Sequence, residues 1–230
     1  MPSIKLVIFD IAGTIVEDRG EVLEAFGATL RNHHIPFTDA ELREWKGASK
    51  REVIRHFVGR QEARHDGVDV EGVYADFRKL LEQHYRWNGV TAIPGALETL
   101  GWLRDRGIQI ATTSGFYREV AELILERAGW HDLFAANISS SDVGMGRPAP
   151  FMIFRAMEAT GVTTVQDVIN VGDTPLDLQA GTNAGVRGVV GVLTGLHQED
   201  RLQGEPHTDL VPSVASLQEL IEKKYLELRS

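Results

Sequence analysis

Cysteine is absent from the 230 residues. Disulfides and thiolate metal sites are thereby excluded, and cysteine usage leaves the redox compartment undetermined. No apolar stretch approaches the roughly 20 residues that span a bilayer. No basic-then-apolar leader fits, because a strand-like run, KLVIFD, begins within a few residues of Met1. The expected location is cytoplasmic, with no membrane partner. No run of Lys and Arg stands out, and the formal net charge is −9. That argues against a nucleic-acid partner and reads as solubility. Internal repeats and low-complexity tracts are missing too. What remains is an ordinary globular composition, 43% hydrophobic and 25% charged. The length suits one large domain, or a core with a smaller insert.

Short Val- and Ile-rich runs recur: KLVIFD, IQIATTS, VINVGD and VRGVVGV. Near-continuous hydrophobicity predicts strands buried on both faces, as in a parallel sheet. Between them GALETLGWLRDRG, EVAELILERAG and PFMIFRAMEATG carry apolar residues at helical spacing and end at Gly. This alternation predicts an α/β fold, a Rossmann-like doubly wound parallel sheet. From about Gly20 to Asn88 the alternation stops. EVLEAFGATLRNH, DAELREW, SKREVIRHFVG and VEGVYADFRKLLEQHY all read as amphipathic helices. We expect Asp39 to cap the second and Ser49 the third. The expected organisation is a core of residues 1–17 and 91–230 with a small all-helical cap, residues 18–90, inserted after the first strand. The cap returns at the Pro94–Gly95 turn. SLQE at 216–219 reads as a capping box opening a final surface helix. Trp45, Phe57, Tyr74 and Trp87 are expected to fill the cap's own core. Packing them against a partner subunit is the other reading, so a homodimer stays open.

In open parallel sheets, ligands sit outside the carboxyl ends of the strands. The first strand delivers Asp10 there, followed by Ile11, Ala12, Gly13 and Thr14. IQIATTS delivers Thr113 and Ser114, then Gly115. VINVGD delivers Asp173, with Asp177 one helical turn on and Pro175 suited to the first turn between them. The loop SDVGMGRPAP carries Arg147. Singly, each has a bland reading: a helix cap, a turn former, a surface cation with a buried stem. Together, three carboxylates, a hydroxyl beside a Gly and one cation can hold a hard divalent cation and a phosphoryl group.

Four motifs, DIAGT, TTSG, GRPAP and GDTPLD, stand in order over essentially the whole chain. In these the sequence resembles the haloacid dehalogenase superfamily of aspartyl-phosphate-forming hydrolases. The resemblance implies that Asp10 is the nucleophile, giving an acyl phosphate. It implies Mg²⁺ held by Asp10, Asp173 and the backbone carbonyl of Ala12, with Asp177 acting directly or through water. It further implies that Gly13, Ser114 and the Gly115 amide meet the phosphoryl group, and that Arg147 offsets charge. Most phosphatases of this superfamily carry a second Asp two residues after the nucleophile, as general acid and base, a task worth about 10² to 10⁴ in rate. Here that residue is Ala12, which transfers no proton.

DxAGT, with Arg in place of the usual Lys before the Pro of the third motif, resembles the phosphonatase branch. Its chemistry cleaves a phosphorus–carbon bond in a small organophosphonate such as phosphonoacetaldehyde. A cap lysine forms an imine with the substrate aldehyde, so a proton-donating Asp is dispensable. That lysine follows a Gly by three residues, which selects Lys50 after Gly47. Lys46 would be a second substrate contact, and the two would share a face if one helix ran through both, although Gly47 opposes this. An exposed lysine has a pKa of about 10.4. Burial beside other cations would lower it.

The chain departs from the branch in two places: Val53 stands where a His is usual, and Lys46 where a Met is usual. His56, one turn from Val53, is a weak substitute. KGASK also fits cap segments of phosphatases and mutases in which lysine only binds substrate. The expected activity is therefore a Mg²⁺-dependent phosphonatase-like hydrolase. The alternatives are a phosphatase acting on a small phosphate monoester with a cap-supplied proton donor, and a non-catalytic phosphate-binding module. Dehalogenation is disfavoured, since it has no need of the metal carboxylates Asp173 and Asp177.

Overall fold

The computed structural model describes residues 4–62, 69–196 and 199–226. In chain order the elements are β1 (Leu6–Phe9), α1 (Glu21–Asn32), α2 (Asp39–Glu44), α3 (Lys50–Glu62), α4 (Val70–Asn88), α5 (Ala96–Asp105), β2 (Gln109–Ser114), α6 (Arg118–Arg127), β3 (Ala136–Ser139), α7 (Phe151–Thr160), β4 (Val168–Gly172), α8 (Pro175–Ala184), β5 (Gly188–Val192), α9 (Glu199–Gln203), β6 (Asp209–Val211) and α10 (Leu217–Ile221). The strands form one sheet in the order β3-β2-β1-β4-β5-β6, and every neighbouring pair is parallel.

β1 shows why the sheet is doubly wound. All four of its side chains are fully buried, and alternate residues point to opposite faces. Val7 and Phe9 join the core that contains α5, α6 and α10 through Leu103, Ile124 and Ile221. Leu6 and Ile8 join the other, with Met152 and Ala156 of α7 and Leu178 of α8. Complete burial of one Leu, Ile or Phe side chain stabilises by about 1.5–3 kcal/mol. A polar residue anywhere in β1 would therefore open a void against one layer or the other.

The order of strands makes β1 central, and the chain leaves it for a long helical excursion. Val16 and Ala92 form an antiparallel bridge. Glu17 N–H donates to the Thr91 carbonyl at 2.9 Å, and Ile93 N–H to the Ile15 carbonyl at 3.0 Å. Exit and return are thus hydrogen-bonded to each other. Between them α1 to α4 pack on one another, with Phe26 and Phe77 stacked 4.1 Å apart.

Several local expectations change. Thr38, not Asp39, caps α2, in a reciprocal box with Glu41. Asp39 is the first helical residue. Ser49 directly precedes α3, and its carbonyl accepts from Val53 N–H at 3.1 Å. Ser216 precedes α10 without a side-chain cap, because a short 3₁₀ turn at 214–216, capped by Ser213, already occupies that stretch. Gly47 has φ +84°, which stops any helix between Lys46 and Lys50. Phe57 is buried in the helical core, and Trp45 and Tyr74 are partly buried against it. Trp87 is not, being 82% exposed at the end of α4. Two strands escape sequence patterning: β3 reads ANIS and β6 only DLV.

Candidate active site

The carboxyl ends of β1, β2 and β4 lie side by side, and the residues that follow them converge. Asp10 leaves β1 with its N–H bonded to the Val171 carbonyl of β4 at 2.9 Å. Asp173 follows β4. Asp177 sits in the first turn of α8, where Thr174 and Asp177 cap one another, the Thr174 hydroxyl donating to Asp177 Oδ2 at 2.5 Å. Each of the three carboxylates offers an oxygen within 4.8 Å of the others, and all three residues are buried.

Like charges this close need cations. Arg147, 5% exposed, supplies one. Its Nη1 lies 2.9 Å from Asp10 Oδ1 and 2.7 Å from Asp177 Oδ1. Its Nη2 donates to the carbonyl and the hydroxyl of Thr113 at 2.7 and 2.9 Å. Lys46 supplies the other, 2.7 Å from Asp173 Oδ2 and 3.1 Å from Asp18 Oδ2. Thr14 donates to Asp173 Oδ1 at 3.2 Å. The backbone is drawn equally tight. A Cβ on Gly13, whose φ is +94°, would sit 2.4 Å from Asp173 Oδ2, so only glycine passes there.

Lys50 is different. It opens α3, which is docked on the core by Lys50 N–H donating to the Gly115 carbonyl at 3.3 Å. The approach is close enough that a Cβ on Gly115 would lie 2.5 Å from the Gly47 carbonyl. The Lys50 amine is buried, meets the Ala48 carbonyl at 3.3 Å, and lies 4.8 Å over the Phe116 ring. Burial lowers its pKa to about 8, with the positive charges of Arg147 and Lys46 acting the same way and Asp10 and Asp18 opposing. For Lys46, burial also favours the neutral amine, but Asp173 and Asp18 outweigh it and hold the pKa above the ordinary lysine value.

One cavity opens beside these groups, with Asp173, Asp177 and Arg147 buried behind its lining. Its walls include Asp10, Ala12, Asp18, Lys46, Gly47, Lys50, Ser114, Gly115 and Thr174, backed by Val22, Leu23, Phe26, Leu42, Trp45 and Phe116. The expected site residues therefore come together, Lys46 and Lys50 included, although they share no helix face. Ser114 is buried, and its hydroxyl accepts from Phe116 N–H at 3.2 Å. Val53 is fully buried in the helical core, and His56 is exposed, packs with tilted rings 4.5 Å from Trp45, and does not itself line the cavity. Sequence reasoning missed Asp18, Thr14, Phe116 and the capping role of Thr174. Thr174 was legible, since TPLD has the Thr-x-x-acid form of a capping box. Asp18 was not, because nothing local distinguishes it from Glu17.

The donor set fits a hard divalent cation. Three carboxylates, Asp10, Asp173 and Asp177, lie within reach of one cation, and together with Asp18 outside the cluster they face two ion-paired cations. Burial raises the pKa of Asp173 and pushes that of Asp177 up to about 7, with mutual repulsion adding to the rise and Lys46 and Arg147 only partly offsetting it. Among the described residues Asp177 Oδ1 accepts no hydrogen bond, despite its ion contact with Arg147. The cluster has negative charge and a lone pair to spare, and all-oxygen ligation suits Mg²⁺ or Ca²⁺ over softer metals.

Fold and strand-end chemistry together define a phosphoryl-transfer hydrolase. The sequence profile described as haloacid dehalogenase-like hydrolase matches residues 7–191, and the chain belongs to that family. Within the family it is phosphonatase-like. It is 32% identical over 212 residues to a phosphonoacetaldehyde hydrolase of Parabacteroides distasonis, covering 86% of this chain and 79% of the relative. It is 33% identical over 217 residues to one from Hahella chejuensis, covering 86% and 72%. A phosphonoacetaldehyde hydrolase-like protein from Oleispira antarctica superposes with a TM-score of 0.84 at 24% identity, over 97% of this chain and 92% of that one. A β-phosphoglucomutase from Clostridium difficile reaches the same TM-score at 19% identity, over 97% and 98%, so the fold alone does not separate these activities. No helix among the described residues is long and apolar enough to cross a membrane.

Proposed function

We propose that the chain is a Mg²⁺-dependent hydrolase cleaving the phosphorus–carbon bond of a small organophosphonate such as phosphonoacetaldehyde. The observation that carries this is the Lys50 amine, buried without a carboxylate partner among the described residues and lining one cavity with Asp10 and the methyl group of Ala12. A lysine kept dry is a nucleophile; a lysine merely holding an anion has no need of a lowered pKa.

The uncharged Lys50 amine adds to the aldehyde carbon; with one proton taken up from solvent, the carbonyl oxygen leaves as water and a protonated imine remains. Asp10 attacks phosphorus as the carbon–phosphorus bond breaks. The bonding pair moves into the imine, giving an enamine, and an aspartyl phosphate forms. The enamine carbon takes a proton, and water then hydrolyses the imine, releasing the aldehyde and Lys50. A second water cleaves the acyl phosphate and restores Asp10. No alkoxide leaves at any step, so position 12 carries no proton donor. Ser114 and the Gly115 amide bind phosphoryl oxygens, and Arg147 keeps the Asp10 carboxylate compatible with an incoming dianion. Asp10, Asp173, the Ala12 carbonyl and Asp177 would hold Mg²⁺, whose positive charge would stabilise the phosphoryl group in flight. Residues 1–17 and 91–230 act as the catalytic core and residues 18–90 as a cap that excludes water.

The test is phosphate release with Mg²⁺ from phosphonoacetaldehyde beside a panel of small phosphate esters, with borohydride added to trap the imine. Release from the phosphonate and a borohydride adduct on Lys50 are expected. Release only from esters, with no adduct, would make Lys50 a binding residue and the chain a phosphatase.

A further inference from the structure

Asp18 has no place in the chemistry above, yet it is one of the most enclosed charges of the cavity. Its side chain is 4% exposed. It lies just past the paired segments where the chain leaves β1, and its Oδ1 accepts from Gly20 N–H at 2.9 Å. Its other oxygen is 3.1 Å from the Lys46 ammonium, which is also 2.7 Å from Asp173 Oδ2. Lys46 thus has two anionic partners of unlike kind. Asp173 belongs to the cluster of three carboxylates that can share a cation. Asp18 stands outside that cluster.

The difference matters when a divalent cation takes Asp173. A buried ammonium that loses its only counter-ion costs several kcal/mol. With Asp173 as sole partner, Lys46 would compete directly with the metal. With Asp18 beside it, the ammonium keeps a carboxylate within contact distance and need not leave the cavity wall. We propose that Asp18 is a positioning residue acting through Lys46. It retains the Lys46 ammonium at the edge of the carboxylate cluster, so that Asp173 is released to the metal at low cost and Lys46 stays beside the substrate. The inference rests on the metal reading of the three carboxylates and adds to it a residue that no ligand has to touch.

The experiment is a thermodynamic cycle on Mg²⁺ affinity, measured by isothermal titration without substrate, for the unaltered 230-residue chain, Asp18→Asn, Lys46→Met and the double variant. Circular dichroism melts check that each is folded, and Lys46→Gln repeats the cycle if the Met variant is not. In the wild-type background, Asp18→Asn is expected to weaken Mg²⁺ binding about fivefold or more, the scale of a coupling worth 1 kcal/mol. In the Lys46→Met background the same change is expected to alter affinity less than about twofold, because the residue it acts through is gone. Lys46→Met alone is expected to tighten binding. Equal weakening by Asp18→Asn in both backgrounds would overturn the inference, making Asp18 only another negative charge near the metal. If the wild-type protein binds no Mg²⁺ while phosphate is still released, the metal reading fails and this inference with it. If Mg²⁺ binds and the cycle is additive, the metal reading stands and only the role of Asp18 falls. Asp18→Glu is expected to restore affinity to within about twofold of wild type.

Discussion

The two walls of the site treat charge in opposite ways. The strand ends collect it: Asp10, Asp173 and Asp177 crowd together and are held by Arg147 and Lys46 in contacts of 2.7–2.9 Å. The wall contributed by α3 keeps one amine apart from it. Lys50 faces a carbonyl and an aromatic ring, and its pKa falls to about 8 while that of Lys46, four residues away, rises. The same side chain becomes a counter-ion in one setting and a nucleophile in the other. Burial acts on both lysines, so the presence or absence of carboxylate partners decides between them.

The largest effect should come from breaking the charged wall. Asp10→Asn is expected to lower phosphate release on the order of 10⁴-fold or more, as loss of a covalent nucleophile does, without loss of the folded melt. Steady-state phosphate assays with a parallel circular dichroism scan check both. Lys50→Ala removes the other wall's chemistry. It should cost about 10²- to 10⁴-fold in kcat/KM on the phosphonate and abolish the borohydride adduct. In the wild type, kcat/KM should rise with pH through about 8, because the amine must lose its proton before it attacks. A pH-independent rate between 7 and 9 would contradict this.

The same shift has a stability signature. Lys50 titrates near 10.5 when unfolded and near 8 when folded. Between those values the unfolded chain binds more protons, so stability rises with pH across that window. Below it, the full cost of burying the ammonium is present. Lys50→Met should therefore stabilise the protein at pH 7 by on the order of 3 kcal/mol, with the gain fading as pH approaches 10.5. Urea melts of the two proteins at pH 7 and 10 measure it. Ala12→Asp sharpens the comparison from the other side by adding a proton donor to the charged wall. It should raise turnover of small phosphate esters up to about 10²-fold while leaving the phosphonate no faster. An unchanged ester rate would mean that the carboxyl at position 12 cannot reach a leaving oxygen.

The charged wall was legible in the sequence because strand ends impose it. Asp10, Ser114 and Asp173 each end a hydrophobic run, and parallel strands carry their ends to one edge of the sheet. Asp177 followed from lying one helical turn after Asp173, and Arg147 from being the cation of the SDVGMGRPAP loop that the family resemblance assigns to the site. The other wall was harder to read. Gly47 counted against a helix through Lys46 and Lys50 without excluding it, and nothing local said where two flexible side chains would point; the outcome turned on Asp18 and Phe116, which lie far away in sequence. In the sheet, β6 was missed because three residues carry too little pattern, and β3 because ANIS mixes polar and apolar residues on a strand paired only with β2. The capping errors at Asp39 and Ser216 have one cause. A neighbour, Thr38 in one case and the turn begun at Ser213 in the other, claimed the local backbone first.

The bridge between Val16 and Ala92 bears on how such a chain could have been assembled. Two residues already opposed across an antiparallel pair can be joined by a short hairpin link, with no change in where β1 ends or where the path to β2 resumes. The segment from α1 to α4 thus leaves and rejoins the core at one paired place, and its other ties to the core, Lys50 N–H to the Gly115 carbonyl and Lys46 to Asp173, are contacts across the site. Asp10 and Asp173 come from the sheet, whereas Lys46 and Lys50 come from the inserted segment, so a change in that segment alters what faces the carboxylates without moving the strands that carry them.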